Sequence, residues 1–128
     1  MAKPSVLRVV HTVFALLFLL GAAVQLNDPD PWSWVAIYTA AGLCCALWRR
    51  VDGLWLAALG VAAAAFGWGG WIAWTMPRWV APWEMVESMK AYGGAVELAR
   101  EVWGLAILGT YLLFVAKTDR SAGRSASR

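Results

Sequence analysis

Two short runs in the chain hold residue types able to do chemistry. The first is Gln25-Leu26-Asn27-Asp28-Pro29-Asp30-Pro31-Trp32, and the second is Glu97, Arg100, Glu101 and Gly104. Offsets of three, four and seven share one helix face, so both carboxylates of the second run can reach its guanidinium. If the two runs meet, Gln25, Asn27, Asp28, Asp30, Glu97, Arg100 and Glu101 form one polar cluster. Such a cluster has three chemical uses. Oxygen ligands drawn from Asp28, Asp30, Glu97 and Glu101 would suit a hard divalent cation. A carboxylate could act as a general acid or base. Arg100 facing Asp28 or Asp30 would tie two helices together.

Each run also has a plainer reading. Asp30 is a natural N-cap, with Pro31 at the first helical position. Glu97, Arg100 and Glu101 make an intrahelical ion pair at a helix start that favours acids. Yet one cap needs one carboxylate, and idle polar groups such as Gln25, Asn27 and Asp28 at an apolar boundary would cost free energy. An enzyme is the least supported class. There is no nucleophile with its base, no metal triad, no cofactor loop and no second histidine beside His11.

The elements that position these residues follow from composition. Of 128 residues 61% are hydrophobic and 15% charged, ten are tryptophan, and the mean hydropathy is +0.58. Soluble domains average about half apolar and a quarter charged, and small ones bury the least surface. The chain is too apolar for a soluble domain of its size. Disorder and a nucleic-acid-binding arm are excluded on the same grounds. Four uninterrupted apolar stretches, about 9–26, 32–48, 54–76 and 102–116, are bounded by charge or proline. None alternates apolar with polar, so helices rather than strands are expected in lipid.

The expected fold is all-α and polytopic, with a single domain over 1–116 and four transmembrane helices in an antiparallel bundle. The links 27–31 and 49–53 are too short to reach around a bundle. In the long outer loop, Trp83, Val86 and Met89 recur at helical spacing, which predicts an interfacial helix over about 82–92 that Gly93 and Gly94 end. Residues 117–128, rich in Ser, Ala, Gly and Arg, read as a disordered basic cytoplasmic tail able to touch anionic lipid. A signal-peptide reading of the N-terminus competes, with Gly21 and Ala23 near a cleavage site. The apolar run that continues past them favours retention.

The net charge of +3 conceals a strong asymmetry. Lys3, Arg8, Arg49, Arg50, Lys117, Arg120, Arg124 and Arg128 fall on the side of both termini, against Arg78, Lys90 and Arg100 on the other. Both termini are therefore expected in the cytoplasm of a cell-membrane protein. The outer side holds most of the acids and both polar runs. Trp32, Trp34, Trp71, Trp74, Trp79, Trp83 and Trp103 mark an outer aromatic belt, and Trp48 and Trp55 an inner one. Cys44 and Cys45 match no metal or redox spacing and read as reduced packing residues. His11 reads as a snorkelling or helix-pairing residue. Ala57, Gly60, Ala64 and Gly67 form a small-residue stripe for close helix packing, with Gly104 a further packing site. The stripe's partner is another helix of this chain, a membrane-protein partner or a second copy.

The run Val24-Gln25-Leu26-Asn27-Asp28-Pro29-Asp30, followed by Trp34 and Tyr38, resembles the Q-x-N-D-P-D…W…Y signature of the transmembrane protein 220 family. Glu97, Arg100, Glu101 and Gly104 resemble that family's E-x-x-R-E-x-x-G run. Leu98 and Ala99 depart from it, standing where an acidic residue and a glycine are common. The resemblance implies a small multi-pass membrane protein whose two motifs belong to one site, and it names no substrate. The leading expectation is a non-enzymatic protein of the bilayer, without nucleic-acid partners. Its outward polar cluster stabilises the bundle or recognises a partner or small ligand. A transporter or divalent-cation-binding protein, and an accessory subunit of a larger complex, are the alternatives.

Overall fold

A computed structural model describes residues 3–87 and 94–128, and every regular element among them is a helix. In chain order these are α1 (Pro4–Gln25), α2 (Trp32–Ala46), α3 (Leu54–Thr75), a short α4 (Pro82–Glu87) and α5 (Gly94–Ala126). Three of them, α1, α3 and α5, are long and apolar enough to cross a membrane. The remaining apolar helix, α2, has 15 residues, or about 22 Å against a hydrocarbon core of about 30 Å.

The last helix differs from the sequence expectation of a span over 102–116 followed by a disordered tail. It runs unbroken for 33 residues, from Gly94, whose φ is +80°, through Ala126. Its length is about 50 Å. The apolar run marks only part of it, because an existing helix extends at little cost through alanine and arginine. The hydroxyls of Thr118, Ser121 and Ser125 are satisfied by carbonyls one turn back. Of the interfacial segment expected over 82–92, α4 occupies the first part, while residues 88–92 and Gly93 lie outside the described residues. Pro82 opens α4, and Glu84 accepts the Ala81 N–H at 2.8 Å in a reciprocal cap. That N–H, together with Arg78 at 3.1 Å, holds the Glu84 carboxyl below the usual carboxylate range.

Backbones approach most closely in two pairs, α1 with α2 and α3 with α5. In the first pair a Cβ at Gly42 would lie 2.8 Å from the Leu19 side chain, so only glycine fits without movement. In the second pair Ala58, Ala62 and Ala65 of α3 are buried, as are Leu105, Leu108 and Leu112 of α5. The stripe Ala57, Gly60, Ala64 and Gly67 instead points outward, and a Cβ at Gly60 or Gly67 would meet nothing within 4 Å. Small residues occur all around α3, so composition alone does not mark the face that packs. Val9, Leu16 and Leu20 of α1 and Leu56 of α3 are exposed, an outward-facing apolar surface suited to lipid.

Between the pairs, aromatic side chains add to a looser approach of α2 to α3 and α5. Phe14 of α1 stacks on Tyr111 of α5, with ring centroids 3.8 Å apart. His11 is buried beside them, its Nδ1 2.6 Å from the Tyr111 hydroxyl and its Nε2 3.1 Å from Thr118 Oγ1. The single Thr118 hydroxyl proton is directed at the Phe114 and Val115 carbonyls. Oγ1 is left to accept from Nε2–H, so Nδ1 accepts from the Tyr111 hydroxyl. His11 thus pairs two helices. Tyr111→Phe, which keeps the stack but strands Nδ1, is expected to cost about 1 kcal/mol in the melting of detergent-purified protein. An unchanged melt would show that the hydrogen bond contributes nothing.

These contacts place the start of α1, the end of α2, the start of α3 and the end of α5 at one end of the molecule, here the terminal end. Gln25, the start of α2, the end of α3 and the start of α5 meet at the opposite, loop end.

Candidate functional site

The loop end carries a cleft of about 180 Å³ lined by Gln25, Asp28, Trp34, Tyr38, Glu97, Arg100 and Glu101. Local geometry decides which members of the first run reach it. After Gln25 the chain tightens, with Leu26, Asn27 and Asp28 donating to carbonyls three residues earlier. A three-residue turn brings Gln25 and Asp28 to the same side and sends Asn27 away. Asn27 and Asp30 are exposed and do not line the cleft.

Asp30 is also not the cap expected of it. The helix begins at Trp32 with Pro31 as N-cap, no side chain caps it, and the Pro31 carbonyl accepts from Val35 N–H at 2.8 Å. Asp30 therefore precedes the capping position by one residue and stands in solvent.

The second run lies on the first turns of α5, where the helical period puts Glu97, Arg100 and Glu101 on the cleft side. Asp28 and Glu97 line the cleft together with Glu101. Three carboxylates against one guanidinium leave the cleft net negative. Gly104, one turn further, makes room for α2: a Cβ there would lie 3.1 Å from the Tyr38 hydroxyl. The Tyr38 ring passes equally close to Gly21, 3.0 Å from where its Cβ would be. Tyr38 is thus seated between α1 and α5 at the base of the cleft. Trp34 forms the wall and is backed by Trp68 of α3, with ring centroids 4.2 Å apart.

Among the described residues no group of three or more His, Cys, Asp or Glu side chains is arranged to hold a metal ion. Of the four ligand candidates, Asp30 stands outside the cleft, and Arg100 shares it with Asp28, Glu97 and Glu101. What the cleft offers is a set of anionic acceptors beside two electron-rich rings.

The terminal end holds a second polar group that no motif in the sequence marks. Asp119, 8% exposed, accepts the Arg49 N–H at 3.2 Å and the Trp55 N–H at 3.1 Å. It thereby caps α3 from another helix, since the N-cap Gly53 has no side chain to do so. A lone acid within a basic segment was the signal available for it. Trp48 is buried against His11, with centroids 4.8 Å apart, rather than standing in a belt. Trp32, Trp71, Trp74, Trp79 and Trp83 are widely exposed. Cys44 and Cys45 are free thiols, both buried.

The family described as transmembrane family 220, helix, matches residues 17–117, a range that includes both polar runs. No curated protein and no solved structure matches the chain.

Proposed function

The chain belongs to transmembrane family 220 and is a multi-pass helical membrane protein, and we propose that its cleft at the loop end is a recognition site for a small cationic ligand. The observation that carries this reading is the convergence of Asp28, Glu97 and Glu101 with Trp34 and Tyr38 around one opening. Carboxylates attract a positive charge, and aromatic faces add cation–π attraction of about 0.5–2 kcal/mol. Arg100 lends the site a donor for an acceptor group on the same ligand.

The protein has α1, α2, α3 and α5 as four antiparallel spans of the cell membrane. The α4 segment lies in the outer interface, and the basic terminal end faces the cytoplasm. On this reading the cleft opens outward. Tetramethylammonium is a direct probe. It is expected to raise the melting temperature of the purified protein, and Glu101→Gln is expected to abolish the shift while leaving the ligand-free melt near that of the parent. No shift at any soluble concentration, or an equal shift in Glu101→Gln, would overturn the reading.

The outward stripe of α3 supports a second role. Ala57, Gly60, Ala64 and Gly67 leave room for another backbone, as in a homo-oligomer or an accessory subunit bound to a larger membrane protein.

A further inference from the structure

The terminal end contains a larger cavity, of about 450 Å³, between the start of α1 and the ends of α2 and α5. Its walls are mainly apolar, from Leu7, Trp48 and Phe114. Two cations, Arg49 and Lys117, line it together with hydroxyls such as Ser121, and among the described residues no carboxylate does. Trp48 is 6% exposed, and its indole N–H has no hydrogen-bond partner among the described residues. A buried donor left in that state costs free energy, which a ligand acceptor would recover.

The backbone at the rim is itself strained toward this arrangement. Arg49 has a φ of +59°, a left-handed conformation that costs a non-glycine residue about 1 kcal/mol. Asp119 holds it there by accepting the Arg49 N–H, and the guanidinium lies over the Trp48 ring, 5.5 Å from its centroid. One short segment therefore supplies a cation and an apolar wall to the same opening, with an unpaired indole donor in the side chain that forms that wall.

We propose that this cavity is a binding site for an anionic phospholipid from the leaflet on the side of the chain termini. The phosphate and its anionic headgroup meet Arg49, Lys117 and the Trp48 N–H, and part of an acyl chain lies against Leu7 and Phe114. A free phosphate would satisfy the cations but leave the apolar walls uncovered, and a neutral lipid would leave the cations unmatched. The site is independent of the cleft at the loop end, and so is its test.

Purified protein is exchanged into detergent with equal amounts of phosphatidylglycerol and phosphatidylcholine, and bound lipid is read by native mass spectrometry. Retention of phosphatidylglycerol in preference to phosphatidylcholine is expected. Lys117→Gln and Arg49→Gln are each expected to reduce that preference about fivefold, the equivalent of one basic residue near an anionic headgroup. Trp48→Phe removes the N–H together with one of the two fused rings, and is expected to weaken phosphatidylglycerol retention and, because Trp48 packs on His11, to lower the lipid-free melt as well. Arg120, which lies over Trp55 rather than in the cavity, supplies the control: Arg120→Gln should leave the preference intact. Equal retention of the two lipids overturns the proposal, as does an equal loss in Arg120→Gln and Lys117→Gln. Displacement of phosphatidylglycerol by millimolar inorganic phosphate would overturn the lipid as occupant.

Discussion

Asp119→Ala is expected to destabilise the protein by about 2 kcal/mol. The carboxylate accepts two backbone N–H groups from different elements, Arg49 after α2 and Trp55 in the first turn of α3. Removing it takes the acceptor from both donors, and it takes an anion away from the positive end of the α3 dipole. It also releases Arg49 from its left-handed conformation. Asp119→Asn retains one good acceptor and should cost about half as much. Thermal melting of both variants in one detergent measures the difference. If Asp119→Ala melts with the parent, the carboxylate does not cap α3.

Ala62→Leu is expected to cost about 2 kcal/mol by overpacking. Ala62 is 1% exposed, on the α3 face that packs closely with α5. Lipid tails solvate leucine as well as a helix interface does, so the hydrophobic effect offers no return for the added volume, and the helices must move apart. The informative partner is Ala64→Leu, two residues along on the exposed stripe. It should leave the monomer's melt unchanged. If α3 also mediates association between chains, Ala64→Leu shifts the oligomer distribution in size-exclusion chromatography while Ala62→Leu lowers the melt. Equal melting of Ala62→Leu and Ala64→Leu would show that the α3 faces are wrongly assigned.

The contrast between these two alanines marks what the sequence made legible. Helical segments in the membrane were readable because lipid permits few alternatives and because charges or prolines bounded each run. The packing face of α3 was not, since alanine and glycine stand on every side of it and nothing in composition distinguishes Ala62 from Ala64. The extent of α5 was hidden for a related reason: Thr118 and Ser121 look like tail residues until a helix already in place carries them onward. Within the cleft, Glu97, Arg100 and Glu101 followed directly from helical spacing. Gln25 and Asp28 reached it through a tightened turn that sequence did not specify, and the same turn removed Asn27 and Asp30. The contacts of His11 with Tyr111 and of Asp119 with Trp55 join residues far apart in the chain. They depend on how helices pair, so no local pattern announced them.

That pairing also orders the events of biogenesis. A ribosome delivers helices in sequence, N-terminal first, and α1 meets its partner α2 after a link of a few residues. Helix α3 finds only its lesser neighbour, α2, already in place. Its main partner is α5, so the alanine-rich face of α3 must stay in the bilayer uncovered while the long loop is synthesised. During that interval α3 depends on lipid, or on the membrane insertion machinery, to keep it from pairing with the wrong helix. The late arrival of Leu105, Leu108 and Leu112 is what ends its exposure.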